Sequence, residues 1–174
     1  MNMSFGSAAN TCIDPPVAAD DFRAAMREFA AGVTVVTTLS KDGKRGLTAT
    51  AVCSLSAEPS TLLACINRSS DGYKAICESG FFCVNVLAVE QSEVASRFAG
   101  RDGIRGESRF DLGDWENMRT GAPALADALA VFDCRTAGTL DWGSHTIFIG
   151  SVVAARVQPG RPGLVYRAGS FYGA

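Results

Sequence analysis

The sequence predicts a mainly β domain, an antiparallel barrel with a few short helices. Two observations carry this. Strand-like segments outnumber helical ones. Several neighbouring strands are separated only by short turns, such as Asp42-Gly43 and Asp141-Trp142-Gly143-Ser144. Both features favour an antiparallel barrel over a doubly wound parallel sheet.

The elements follow in order. Residues 1–20 are small and polar, with Pro15-Pro16 near their end, and read as a loose arm ahead of a single domain over 21–174. Asp20 or Asp21 is placed to cap a helix over Phe22–Ala30. Phe22, Met26 and Phe29 share one face of it at i, i+4 and i+7, and Gly32 fits as its stop. Val33–Thr38 is rich in β-branched residues and reads as a strand. Asp42-Gly43 turns it into the next strand, which runs from Gly46 to Ser56. Leu62–Asn67 is a further apolar strand. Ser69-Ser70-Asp71-Gly72 starts a short helix that Gly80 closes. Phe81–Leu87 is a near-continuous apolar strand, buried on both faces. A helix over about 91–98 turns Val94 and Phe98 inward. Residues 100–120 are rich in Gly, Arg and Asp and read as an irregular excursion. Strands at Ala130–Thr139, Thr146–Val157 and Leu164–Tyr166 complete the chain, with Pro159–Gly163 as a turn.

Composition narrows the function. The chain has 174 residues, 47% of them apolar and 20% charged, with a net charge of −2. One domain with a real core is the default at this length. No Lys/Arg cluster marks a nucleic-acid face, so no nucleic-acid partner is expected. No apolar run reaches the roughly 20 residues of a membrane helix, and no secretory signal is visible. A cytoplasmic protein is the expectation, without a membrane partner. The six cysteines, 12, 53, 65, 77, 83 and 134, form no C-x-x-C pair, and the chain has one histidine. They read as buried, reduced thiols, and no metal site is expected.

The most informative stretch is Thr48-Ala49-Thr50-Ala51, followed by Ser54 and then by Cys65-Ile66-Asn67. Its side chains are small, so a flat ring or a phosphate can approach the backbone, with hydroxyl and N–H donors at hand. A plain hairpin with Thr facing solvent satisfies the same pattern. Other site patterns are missing: there is no G-x-G-x-x-G after a strand, no Walker loop and no G-x-S-x-G elbow. Ser144 precedes His145 directly, and adjacent strand residues point to opposite faces, so they are not read as nucleophile and base. The Asp102/Glu107 and Asp111/Asp114 pairs read as solvated charges. Any chemistry therefore belongs to a bound cofactor.

Phe22-Arg23-Ala24-Ala25-Met26, Val33–Thr38, Thr48–Ser54, Cys65-Ile66-Asn67, Phe82–Leu87, Arg97-Phe98-Ala99-Gly100 and Gly143-Ser144-His145 occur in one order and spacing. In these the chain resembles the short-chain flavin reductases, the reductase components of two-component flavin monooxygenases, over residues 22 to 172. Its nearest likeness is to the branch that serves 4-hydroxyphenylacetate and pyrimidine monooxygenases. The resemblance implies a Greek-key split β-barrel that binds flavin and forms a homodimer. It implies an NAD(P)H:flavin oxidoreductase that uses FMN or FAD and NADH or NADPH, and passes reduced flavin to an oxygenase. A protein that keeps its flavin, as an oxidase or a non-catalytic module, is the alternative.

The resemblance also implies a site. Thr48, Ala49, Thr50 and Ala51 lie beside the flavin ring and its chain, with Ser54 where the strand turns. Cys65, Ile66 and Asn67 line the next strand. Ser70, at the helix start, and Ser96 with Arg97 serve the phosphate. His145 holds the nicotinamide end, and Phe171 stands near a position where relatives often carry Tyr. A surface helix arginine and a turn histidine are the plain readings of Arg97 and His145. Three departures stand out: Thr50-Ala51 replaces an Asn-Ser pair, Ser144 replaces Asp before His145, and Phe171 lacks a hydroxyl. A homodimer is expected on a second ground, that Phe81–Leu87 and Thr146–Val153 hold more apolar surface than one short helix can cover.

Overall fold

The computed structural model describes residues 14–174. Most of the expected N-terminal arm, with Cys12, lies outside the described residues. Helix α1 spans Ala19–Arg27, so it starts before the expected cap. Asp20 and Asp21 sit in its first turn, where carboxylates favour the positive helix end. Gly32 is not its stop: Ala31–Gly32 forms a short strand, β1, that pairs with a later strand.

Strand β2 (Thr34–Ser40) turns through Lys41-Asp42 into β3 (Gly43–Ala49), and Gly43 takes φ +98°, a conformation open to glycine. Next come β4 (Val52–Ala57), β5 (Ser60–Asn67), α2 (Asp71–Ser79) and β6 (Phe81–Val86). Gly80 closes α2 in the left-handed conformation, φ +73°, as the sequence predicts. Helix α3 (Ser92–Phe98) follows a short 3-10 turn. A second 3-10 segment, Gly106–Asp111, leads to two short strands, β7 (Trp115–Asn117) and β8 (Pro123–Leu125). Long strands β9 (Ala130–Trp142) and β10 (His145–Val157) precede a terminal hairpin, β11 (Leu164–Arg167) and β12 (Ser170–Gly173).

Seven strands form one antiparallel sheet in the order β3-β2-β6-β9-β10-β5-β4. Its two edge strands, β3 and β4, are consecutive in the chain and separated only by Thr50 and Ala51. The sheet therefore curls until its edges share a corner. This corrects the single strand expected over 46–56. The Ala49 pairing ends β3 against β2, and Val52 begins β4 against β5. Period-2 patterning cannot reveal such a crossing, because small residues fit both an unbroken strand and a corner.

One core fills the inside of the curl. Phe82, Val84, Ile66, Phe148 and Ala64 meet there, and Ile76 of α2 closes one end. A second core lies outside β2 and β6, where Val33, Val35, Cys83 and Leu87 pack under Val94 and Phe98 of α3 and under Phe110 and Leu125. Strand β6 is thus buried on both faces, as its sequence implies. Most of Phe81–Leu87 is used within the chain, with Phe81 and Val86 left half-buried. Buried Asn85 ties the outer segment down: its amide donates to the Val35 carbonyl (3.0 Å), and its oxygen accepts from the Leu125 N–H (2.7 Å).

The five described cysteines are free thiols. Cys83 and Cys134 are buried, as expected. Cys53 and Cys77 are exposed and Cys65 is half-buried, which corrects the uniform burial read from their apolar neighbours. Cys53 sits on edge strand β4, and Cys77 lies on the outer face of α2.

Candidate functional site

The Thr50–Ala51 corner is exposed and belongs to neither neighbouring ladder. Flanking groups fix it. The Thr34 hydroxyl donates to the Ala49 carbonyl (2.8 Å), the Thr48 hydroxyl donates to the Ala95 carbonyl of α3 (2.6 Å), and the Cys65 N–H donates to the Ala51 carbonyl (2.9 Å). The corner is thus a small-residue ledge braced from β2, α3 and β5.

On one side of it, β5 ends at Asn67. The Asn67 side-chain oxygen accepts from the Ser69 N–H (2.9 Å) and hydroxyl (2.8 Å). The Ser70 hydroxyl caps α2, accepting from the Tyr73 N–H (3.2 Å) while donating to the Asn67 carbonyl (2.8 Å). Both of its bonding roles are used, so Ser70 shapes the helix start. The other N–H groups of the first turn have no intrahelical acceptor, as at any helix start. Gly72 lets this turn sit on β3, since a Cβ there would lie 2.4 Å from the Leu47 side chain.

His145 opens β10 directly opposite Asn67. Its Nδ1 lies 2.9 Å from the Ser144 hydroxyl. This contact corrects the expectation that the two side chains diverge: Ser144 lies in the turn, where strand alternation does not apply. Arg68 braces the turn, with its guanidinium on the Gly143 carbonyl, its N–H on the Ser144 carbonyl (3.0 Å) and an ion pair to Asp141 (3.6 Å). Asp141 also accepts from the Thr146 hydroxyl (2.5 Å), and among the described residues the His145 ring is bonded to the Ser144 hydroxyl rather than to a carboxylate.

On the other side, α3 carries half-buried Ser96 and Arg97. The Arg97 Nε donates to Asp102 (3.0 Å), and the Arg97 side chain is 20% exposed. The Asp102 carboxyl is held below its usual range by the Ile104 N–H and then by Arg97. Asp102 thereby orients the guanidinium and leaves its two terminal nitrogens for another acceptor. Phe171 of β12 packs against Tyr166 at 5.4 Å between ring centroids, and Arg101 stacks over it at 5.0 Å. The Arg101 N–H donates to the Ser96 carbonyl (3.1 Å), which links this aromatic pair to α3.

The structure thus brings together Thr48, Ala49, Thr50, Ala51, Cys65, Asn67, Ser70 and His145 along one rim, with Ser96 and Arg97 beyond Thr48. Two expected residues stand apart. The Ile66 side chain is fully buried inside the curl, leaving only its backbone for a ligand. Ser54 pairs with Leu62, five residues from Asn67 along β5, so about 16 Å separates them. It lines a different, apolar cavity. Sequence reasoning missed Arg101 and Arg68, each one residue beyond a segment it singled out: Arg101 follows Gly100 and Arg68 follows Asn67.

The ledge fits a flavin in one structural respect: Thr50 and Ala51 leave backbone exposed where a flat ring needs close approach, with hydroxyl and cationic donors on either side. The buried thiols take no part. Burial and nearby Asp133 raise Cys134 to about 12 and Cys83 beyond that. Among the described residues, no cluster of three His, Cys, Asp or Glu could hold a metal ion, and no helix is long and apolar enough to cross a membrane.

Comparison with known proteins now adds to this geometry. Residues 26–174 match the flavin reductase like domain. A Methylorubrum extorquens protein named FMN reductase (NADH) RutF 1 is 45% identical over 151 residues, 87% of this chain and 74% of that one. Among solved structures, BorF is the flavin reductase component of a bacterial two-component tryptophan halogenase. It superposes with a TM-score of 0.82 at 36% identity, covering 90% of this chain and 98% of BorF. The Streptomyces globisporus NADH:FAD oxidoreductase SgcE6, solved with NAD and FAD fragments, gives 0.81 at 31% identity, covering 91% and 96%. An antiparallel β fold with a braced small-residue ledge is the class that the geometry defines. The chain belongs to the flavin reductase like domain family.

Proposed function

We propose that this chain is an NADH-dependent flavin reductase that supplies reduced flavin to a partner monooxygenase. Family membership and 45% identity to an FMN reductase (NADH) support the activity. The structural likeness to BorF supports the hand-over to a second component. FMN is the flavin in the name of the 45% identical relative.

The exposed Thr50–Ala51 corner carries the reading, because it lies between the Asn67–His145 end of the sheet and the Arg97 end of α3. A bound flavin supplies the ring that accepts hydride from NADH. The chain's own groups then position and shield. Thr48 to Ala51 and Cys65 to Asn67 present backbone and small side chains to the ring. The terminal nitrogens of Arg97, which Asp102 holds in place, are the phosphate contact on one side of the corner, and the first turn of α2 is the alternative contact on the other. His145, fixed by Ser144 and the Arg68-braced turn, meets the nicotinamide end. It acts by positioning, since no proton need move in hydride transfer. Phe171, with no hydroxyl, contributes a ring face. We read the curled sheet as a split β-barrel, the working unit as a homodimer, and the site of action as the cytoplasm.

The test is NADH oxidation by purified protein at increasing FMN, FAD and riboflavin. The reading predicts saturable turnover with added flavin, and a lower KM for FMN than for riboflavin. A protein that oxidises no NADH with any flavin would overturn it.

A further inference from the structure

Trp142 is the most exposed aromatic side chain among the described residues, at 68%. It ends β9, and it faces His145 as its Cα partner across the Gly143-Ser144 turn. His145 in turn faces Asn67 on β5. Directly opposed residues of an antiparallel sheet point to the same face, so Asn67, His145 and Trp142 form one cross-strand row. Neighbouring strands lie about 4.8 Å apart, so the row spans about 10 Å from Asn67 to Trp142. Two residues along the same face, Cys65, Ile147 and Leu140 form a second row, and Leu140 is also exposed. The indole and the leucine together make a flat apolar platform in water.

The row leads away from the ledge. The Cys65 N–H holds the Ala51 carbonyl, so β5 borders the corner, with β10 and then β9 beyond it. Asn67 belongs to the flavin-lining segment, and His145 meets the nicotinamide end of NADH. Trp142 stands one strand further out on the same face. NADH carries a second ring, adenine, joined to the nicotinamide half through a diphosphate. Every base has a π-face that stacks on an aromatic side chain. The turn also offers a cation for the diphosphate. Arg68 rests on the Gly143 carbonyl, with only a loose ion pair to Asp141 at 3.6 Å, and its side chain is 42% exposed.

We infer that Trp142 is the adenine platform for NADH: its indole stacks on the adenine ring while His145 meets the nicotinamide end. The inference rests on the reductase reading above and deepens it, since it assigns the far half of the hydride donor to a residue. Trp142 then serves the dinucleotide and not the flavin. That separation makes it testable apart from the ledge.

The test compares NADH with reduced nicotinamide mononucleotide, a hydride donor that lacks adenine. At saturating FMN, Trp142→Ala should raise the KM for NADH by about fivefold or more with little change in kcat. Its KM for reduced nicotinamide mononucleotide and its affinity for FMN should match wild type. Trp142→Phe keeps a ring and should recover most of the loss. Far-UV circular dichroism confirms that both variants fold. A second readout needs no turnover. The chain has two tryptophans, and the other, Trp115, packs against Phe98 and Phe110. ADP-ribose, which has the adenine and the diphosphate but no nicotinamide, should quench wild-type tryptophan fluorescence to saturation, and this quenching should vanish in Trp142→Ala. An unchanged KM for NADH in that variant, an equal rise for both donors, or no saturable quenching of the wild type would overturn the inference. FMN-dependent NADH oxidation by the wild type reports separately on the reductase reading.

Discussion

Arg97→Ala tests the phosphate end of the site. The Arg97 side chain is mostly buried on α3, and its Nε is committed to Asp102 at 3.0 Å. Only the two terminal nitrogens are left for a ligand. A hydrogen bond to a charged partner contributes about 1.5–3 kcal/mol, and an open rim favours the lower part of that range. Losing about 1.5–2 kcal/mol weakens FMN binding by roughly 12- to 30-fold. The ion pair with solvent-exposed Asp102 contributes little to stability, so the variant should fold. Fluorescence titration with FMN and with riboflavin separates the two roles. Riboflavin has no phosphate, and its affinity should stay within about twofold of wild type on this reasoning. Equal losses for both ligands would refute the phosphate role and leave Arg97 as a brace for the Asp102 loop.

Further outcomes follow from the same geometry. His145→Ala should leave flavin affinity and Tm nearly unchanged, while raising the KM for NADH or slowing flavin reduction by roughly tenfold, about 1.4 kcal/mol; stopped-flow absorbance checks this, and unchanged NADH kinetics would remove His145 from the site. Gly46→Ala places a Cβ 2.7 Å from the Phe98 ring, so it should lower stability by about 1–3 kcal/mol, read as a Tm fall of several degrees by calorimetry. Cys134, raised to about 12, and Cys83, raised further, hold essentially no thiolate at pH 8. Iodoacetamide should therefore label exposed Cys77 in the native protein and reach Cys83 and Cys134 only after unfolding, as peptide mass spectrometry would show.

Segments with a strong local signal were legible in the sequence. Helix α2 stands between a Ser70 cap and Gly80 because both ends are local chemistry. Strand β6 is buried on two faces because its run is apolar but for Asn85, whose amide finds buried partners. Long-range geometry was less legible. Nothing local marks Thr50-Ala51 as a crossing between opposite edges of a seven-stranded sheet, since the choice is made by β2 and β5. The same holds for Ile66, whose inward direction depends on register, and for Ser54, which lies midway along β4 opposite Leu62, away from the Asn67 end of β5. The short strands β1, β8 and β12 have too few residues to show a period. Arg101 became visible only through its stacking on Phe171 and Tyr166, partners about 70 residues away.

The central claim is that flavin is a substrate that comes and goes on the Thr50–Ala51 ledge. Steady-state NADH oxidation by protein purified without added flavin, with and without FMN, tests it most directly. The account predicts a mostly colourless protein whose turnover is near zero alone and rises with FMN to saturation. A yellow protein whose NADH turnover ignores added FMN would contradict it and show a flavin kept in place.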